Sequence, residues 1–184
     1  MHGGPARVEA LLITGTVGVG KTTTARVIGE QLQKLEIPHA VIDLDELVRA
    51  WPAPAEDPFN MKLELANLAS VAKNYRAAGA MRVVVSGVVE SRAAARKYES
   101  AMAMPMKLCR LKTDSERVRA RLTERHVPGP DRDWHLRRVG ELDLILDAGL
   151  DGDCLLVDPG LDAPTQVARR VMRAIGWGSA ETVS

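Results

Sequence analysis

Val8-Glu9-Ala10-Leu11-Leu12-Ile13-Thr14-Gly15-Thr16-Val17-Gly18-Val19-Gly20-Lys21-Thr22-Thr23 is the stretch from which the rest of the chain can be read. Val8–Thr14 is short and nearly all apolar, as a strand buried on both faces should be. Gly15–Thr22 matches G-x-x-x-x-G-K-[ST] in full. From Lys21 to Leu35 apolar positions recur at helical spacing, so the loop joins a strand to a helix, the context this motif requires. Glycines admit the backbone angles that let successive N–H groups converge on anionic oxygens, and the start of the helix adds its positive dipole end. Lys21 is a point charge suited to β- and γ-phosphates, and the Thr22 hydroxyl is a natural Mg2+ ligand. The expectation is a nucleoside polyphosphate bound by Gly15, Thr16, Val17, Gly18, Val19, Gly20, Lys21, Thr22 and Thr23.

Outward from this loop, short apolar runs alternate with amphipathic segments. Ala40–Asp43, Met81–Ser86, Met106–Leu111 and Cys154–Asp158 read as further strands. Helices are expected after a cap at Asn60 up to Gly79, over Glu90–Ala103, after the capping-box pattern Thr113-x-x-Glu116, over Asp133–Asp147, and over Thr165–Ile175. Five strands separated by helices imply right-handed parallel crossovers, hence an α/β three-layer sandwich on a five-stranded parallel sheet. Such a sheet binds ligands beyond the carboxyl ends of its strands. The whole of residues 1–184 is expected to form one domain.

Composition narrows the classes. Twenty-five Lys and Arg against 24 Asp and Glu leave no field that calls for a nucleic acid or a membrane surface. Six aromatic residues are too few for a protein that stacks successive bases. Two cysteines, Cys109 and Cys154, support neither a disulfide scaffold nor a four-ligand zinc site, and the four histidines show no ligand spacing. Met1–Pro5 lacks the charged and apolar regions of a signal peptide, and no apolar run approaches the roughly 20 residues of a spanning helix. A cytoplasmic protein is expected.

Charge is unevenly spread along the chain. Lys107–Arg138 holds ten Lys and Arg against five Asp and Glu, whereas Val139–Pro164 holds seven acids and no Lys or Arg. Arg117, Arg121 and Arg125 recur every four residues and so share one helical face, and Val127-Pro128-Gly129-Pro130 follows as a plausible tip. Residues 113–138 thus read as a lid whose arginines could stabilise charge on a transferring phosphoryl group. The alternative is a solvated helix paired with its acidic neighbours. The second strand ends in Asp43-Leu44-Asp45; beside the phosphate loop these carboxylates could serve a metal and an acceptor hydroxyl, or else Asp43 ends the strand and Asp45 caps a helix. Trp51 and Phe59 flank a Pro-rich loop, either walling an acceptor pocket or sealing the loop.

With Asp43-Leu44-Asp45, Arg49, Ser86-Gly87 and the Arg117–Arg125 helix added to the phosphate loop, the chain resembles the small P-loop metabolite kinases, the group of adenylylsulfate, shikimate and gluconate kinases. The third strand, Val83-Val84-Val85-Ser86-Gly87, ends without an acid, as in that group. The resemblance implies ATP and Mg2+, with Lys21, Asp45, Arg121 and Arg125 in the chemistry and Asp43 beside Thr22 at the metal. It implies Arg117 at the ATP, and Asp45, Arg49, Ser86 and Gly87 on the acceptor side. The Asp-Gly-Asp-Asn and Lys-Gly-Leu-Tyr runs of adenylylsulfate kinases are missing, so the resemblance implies a reaction class and no particular acceptor. The expected activity is transfer of the γ-phosphoryl group to a hydroxyl of a small metabolite. The rival readings are a nucleotide-driven ATPase or switch acting through a protein partner, and a nucleic-acid module using Arg117–Arg138.

Overall fold

The computed structural model describes residues 7–125, 127–150, 152 and 154–178; the side chains of Arg125 and Asp131 lie outside that description. The elements follow in the order β1 (Glu9–Gly15), α1 (Lys21–Lys34), β2 (His39–Asp43), α2 (Leu44–Leu47), α3 (Met61–Ala77), β3 (Arg82–Ser86), α4 (Arg92–Met102), β4 (Met106–Leu111), α5 (Ser115–Arg125), α6 (Pro130–Gly149), β5 (Leu155–Val157) and α7 (Pro164–Ala174). The five strands form one parallel sheet in the order β2-β3-β1-β4-β5.

Side-chain alternation along β1 divides the interior into two cores. Leu11 and Ile13 face α1 and α7, together with Ile28, Leu32, Val167 and Val171. Ala10 and Leu12 face α3 and α4, together with Leu68, Ala72, Ala95 and Tyr98. Leu142 and Leu146 of α6, with Leu150 just after it, bury against Leu108 and Val88 on that second side. The result is the three-layer α/β sandwich. Two polar ties anchor the layers: Arg110 of β4, buried, donates to Asp147 at 2.7 Å, and Lys112 donates to the same carboxylate oxygen at 2.7 Å. Within the acidic stretch after residue 139, Asp143 and Asp147 are thus partnered by Arg110 of β4 and Lys112 just beyond it.

Local chemistry differs from the sequence expectation at three helix starts. Asn60 stands at the head of α3, but in a left-handed conformation with φ 52° and no cap bond from its side chain. The cap is Asp57, whose two carboxylate oxygens accept the N–H groups of Met61 (2.8 Å) and Lys62 (2.9 Å), while Asn60 donates to the Ala50 carbonyl. At α5 the cap is Asp114, which accepts from the N–H of Glu116 at 2.8 Å, and Thr113 is buried one residue earlier. The short helix α2 has no counterpart among the expected elements, being too brief for any periodicity to register.

The C-terminus of α6 lies directly against the loop that follows β3. A Cβ added at Gly149 would stand 2.0 Å from the Glu90 carbonyl oxygen, which is backbone and cannot swing aside. Gly149→Ala is expected to cost about 1–3 kcal/mol or more, read as a lower urea midpoint at unchanged slope.

Candidate active site

The phosphate loop lies at the carboxyl end of the central strand. Gly15, Gly18 and Gly20 have φ of +147°, +78° and +106°, a region that side chains disfavour. Space adds a second reason at two of them: a Cβ at Gly15 would stand 2.4 Å from the Leu111 carbonyl oxygen, and one at Gly18 would stand 2.9 Å from the Leu122 side chain. At Gly20, the residue before α1, nothing lies within 4 Å. No acidic residue occupies the first turn of α1 and no side chain caps it, which leaves its leading N–H groups for an anion.

Neighbours hold the loop in this shape. The Thr14 hydroxyl donates to the Val89 carbonyl (3.3 Å) and accepts from the Val89 N–H (2.9 Å). Thr16 donates to the Val139 carbonyl of α6 at 3.1 Å, and Val17 packs with Val118, Leu122 and Val139 of α5 and α6. The expected lid helices thus rest on the phosphate loop itself.

Lys21 donates to the Thr16 carbonyl at 3.0 Å. Burial lowers its pKa to about 8, against the opposing pull of Asp45 and Asp43. β2 is not a neighbour of β1, because β3 lies between them. Asp43 nonetheless reaches the loop, accepting from the Thr22 hydroxyl at 2.9 Å with one oxygen and from the Asp45 N–H at 3.1 Å with the other. Asp45 lines the cleft, and burial first, then Asp43, pushes its carboxyl above the ordinary range.

Lys21, Thr22 and Asp45 line a cleft of about 1010 Å³, with Asp43 just behind Thr22. Toward β5 its wall includes Arg121, Pro159, Asp162, Pro164 and Val167; toward β2 it includes Asp45, Phe59, Glu64, Lys97 and Tyr98. The expected site residues are only partly gathered here. Gly18–Thr23 and Val17 line the cleft with Asp45 and Arg121. Arg121 donates to the Gly160 carbonyl at 2.7 Å, which ties α5 to the loop after β5. Arg117 is exposed and does not line the cleft, and Asp158 is its charged neighbour. Arg49 points to Glu46 at 2.6 Å and does not line the cleft. Ser86 is buried at the end of β3, and Gly87 is packed so closely that a Cβ would meet Leu44 at 2.5 Å. Phe59 lines the cleft, whereas Trp51 is 92% exposed and stands away from it.

Thr22 and Asp43 suit Mg2+. Both offer hard oxygen donors, and among the described residues no group of three or more ligating side chains forms a cage. Mg2+ is typically held by one or two carboxylates together with substrate phosphates and water.

Solved structures share this arrangement of sheet and helices. The chain superposes on the gluconokinase from Sinorhizobium meliloti 1021 with a TM-score of 0.62, 16% identity and 94% of each chain covered. For the APS kinase of Mycobacterium tuberculosis in complex with AMPPNP and APS, the TM-score is 0.61 at 20% identity, over 94% of this chain and 99% of that one. For the shikimate kinase of Aquifex aeolicus the TM-score is 0.58 at 17% identity, over 91% and 96%. The fold is that of the P-loop kinases. No protein-family model and no curated protein matches the chain.

Within this P-loop kinase fold, several cleft residues carried no signal in the sequence. Tyr98 donates to Glu64 at 2.5 Å across α4 and α3, and Arg138 of α6 donates to Glu90 at 2.7 Å. Trp134 and His135 line the same space. All but Glu90 sit in helices whose periodicity speaks only for burial, so only the packing of those helices against one another and the loop after β3 brings them together. No described helix is long and apolar enough to cross a membrane.

An ammonium held in a desolvated loop opposes folding until an anion arrives. Its lowered pKa means that the unfolded chain binds more protons between pH 8 and 10.5, so this cost is full below pH 8 and fades as pH rises through that window. Lys21→Met is expected to raise the melting temperature of the nucleotide-free protein at pH 7, by roughly 2–4 °C per kcal/mol relieved. The advantage over wild type should shrink toward pH 10, and stabilisation by an ATP analogue should be lost.

Proposed function

We propose that this chain is an ATP-dependent phosphotransferase that moves the γ-phosphoryl group to a hydroxyl of a small metabolite. One observation carries the reading: a single cleft runs from the phosphate loop, where Thr22 meets Asp43, to a wall bearing Asp45. A nucleotide-hydrolysing switch has no need of a second chamber beyond the phosphates.

In this reading the N–H groups of Gly18–Thr23 and the Lys21 ammonium hold the β- and γ-phosphates, with Gly15 and Thr16 shaping the turn. Thr22 and Asp43 would hold Mg2+, which would neutralise charge on the phosphates. Asp45 accepts the acceptor's hydroxyl proton as the new O–P bond forms and the bond to the ADP oxygen breaks. Its raised pKa makes it a better base than an ordinary surface carboxylate. Arg121, fixed to Gly160, closes the nucleotide side, and Arg125, one turn further along α5, supplies charge to the transferring group. Arg117 serves the nucleotide from the rim, while Ser86 and Gly87 serve the acceptor by seating α2, and with it Asp45, against β3. Arg49 would meet an acceptor only after leaving Glu46.

The test is ADP release from ATP across hydroxylated compounds. Release above the water background with a phosphorylated product supports the kinase, and a rate indifferent to every acceptor leaves an ATPase. Asp45→Asn is expected to lower kcat by about 10²–10⁴-fold while AMPPNP binding holds, as measured by calorimetry.

A further inference from the structure

The chamber past the phosphate loop has a charge and a shape of its own. We propose that Glu64, held by Tyr98, selects an acceptor that carries an ammonium group beside its hydroxyl and an apolar face, and that carboxylate-, sulfate- and phosphate-bearing acceptors are refused. The inference rests on the kinase reading and adds the charge class of the substrate.

Three carboxylates line this end of the cleft: Asp45, Glu64 and Glu90. Glu90 is neutralised by Arg138 at 2.7 Å. Asp45 and Glu64 form no ion pair among the described residues, and each feels the lost hydration of the cleft; Asp45 further raises the pKa of Glu64. The Tyr98 hydroxyl takes only Oε1 of Glu64. Oε2 is left to a ligand, and a ligand cation would relieve the repulsion that two partly desolvated acids impose on each other.

No comparable provision exists for an anion. Among the described residues the cations lining the cleft are Lys21, at the phosphate loop beside Asp45, Arg121 on the β5 side, and Lys97 and Arg138 at this end, with His135 beside them. Arg138 is engaged by Glu90 and, at 3.8 Å, by Glu141. Lys97 is exposed at the rim, in high dielectric, where a charge contributes little to holding an acid. Arg49 is bonded to Glu46 outside the cleft. Lys21 is already drawn by Asp45 and Asp43 and faces the phosphate loop, so an anionic group placed between Asp45 and Glu64 would be desolvated beside like charge with no cation left to pair with it.

Aromatic surface completes the match. Phe59 is 72% exposed and Trp134 is 47% exposed, yet both line the cleft, one from the loop before α3 and one from α6. Covering such rings with an apolar ligand face is favourable, and an ammonium over a ring face gains further.

The experiment uses the AMPPNP-loaded protein and three compounds that differ in one group: 2-amino-1-phenylethanol, 1-phenylethane-1,2-diol and mandelate. Affinities come from NMR chemical-shift titration. The amine is expected to bind at least about tenfold more tightly than mandelate, with the diol between them. Glu64→Gln, which keeps an acceptor for Tyr98, should bring the three affinities to within about threefold of one another, while the AMPPNP affinity is unchanged. Tyr98→Phe keeps the charge and should keep the order. Mandelate binding as tightly as the amine, an order unaltered in Glu64→Gln, or no binding by any of the three would each overturn the proposal. None of these bears on the kinase reading, which the ADP-release assay decides on its own.

Discussion

The hydroxyl of Thr22 and the carboxylate of Asp43, 2.9 Å apart, join two elements that are not neighbours in the sheet. β3 stands between β1 and β2, so the contact exists only because α1 starts at the phosphate loop while β2 ends level with β3, Asp43 lying opposite Ser86 in the ladder. The second oxygen of Asp43 accepts the Asp45 N–H, so the same carboxylate starts α2 and aims the next acid into the cleft. One side chain thus couples the phosphate loop to the wall that bears Asp45.

The loop itself is braced from several sides. Thr14 and Thr16 bind it to the backbone on two sides, Leu122 presses on Gly18, and Lys21 folds back on the Thr16 carbonyl. Such a frame preorganises N–H dipoles for an anion, so little reorganisation is left for the moment of binding. The helices contributing the basic row belong to this frame, since Val118, Leu122 and Val139 bury Val17. Movement of α5 would therefore be felt directly at the phosphates.

Much of this was legible in the residues. The motif Gly15–Thr22, its place between an apolar run and a helix, and the alternation of elements pointed to the five-stranded parallel sheet, and the structure has that sheet. The resemblance to P-loop metabolite kinases rested on the phosphate loop together with Asp43-Leu44-Asp45, Arg49, Ser86-Gly87 and the Arg117–Arg125 helix, and solved kinases at 16–20% identity share the fold. Helix caps were read less well. Asn60 and Thr113 have the right chemistry for capping, but Asp57 and Asp114 lie close enough to take the N–H groups first, and an ionised carboxylate is the stronger acceptor.

Local sequence by itself determined the phosphate loop, because positive φ at glycine and a lysine opening a helix are properties of a dozen consecutive residues. Tertiary structure alone decided the rest of the cleft. Glu64 meets Tyr98 across 34 positions, and Arg138 meets Glu90 across 48. Those choices depend on how helices cross and which charge lies nearest, and no pattern within one helix encodes the residue that will face it from another.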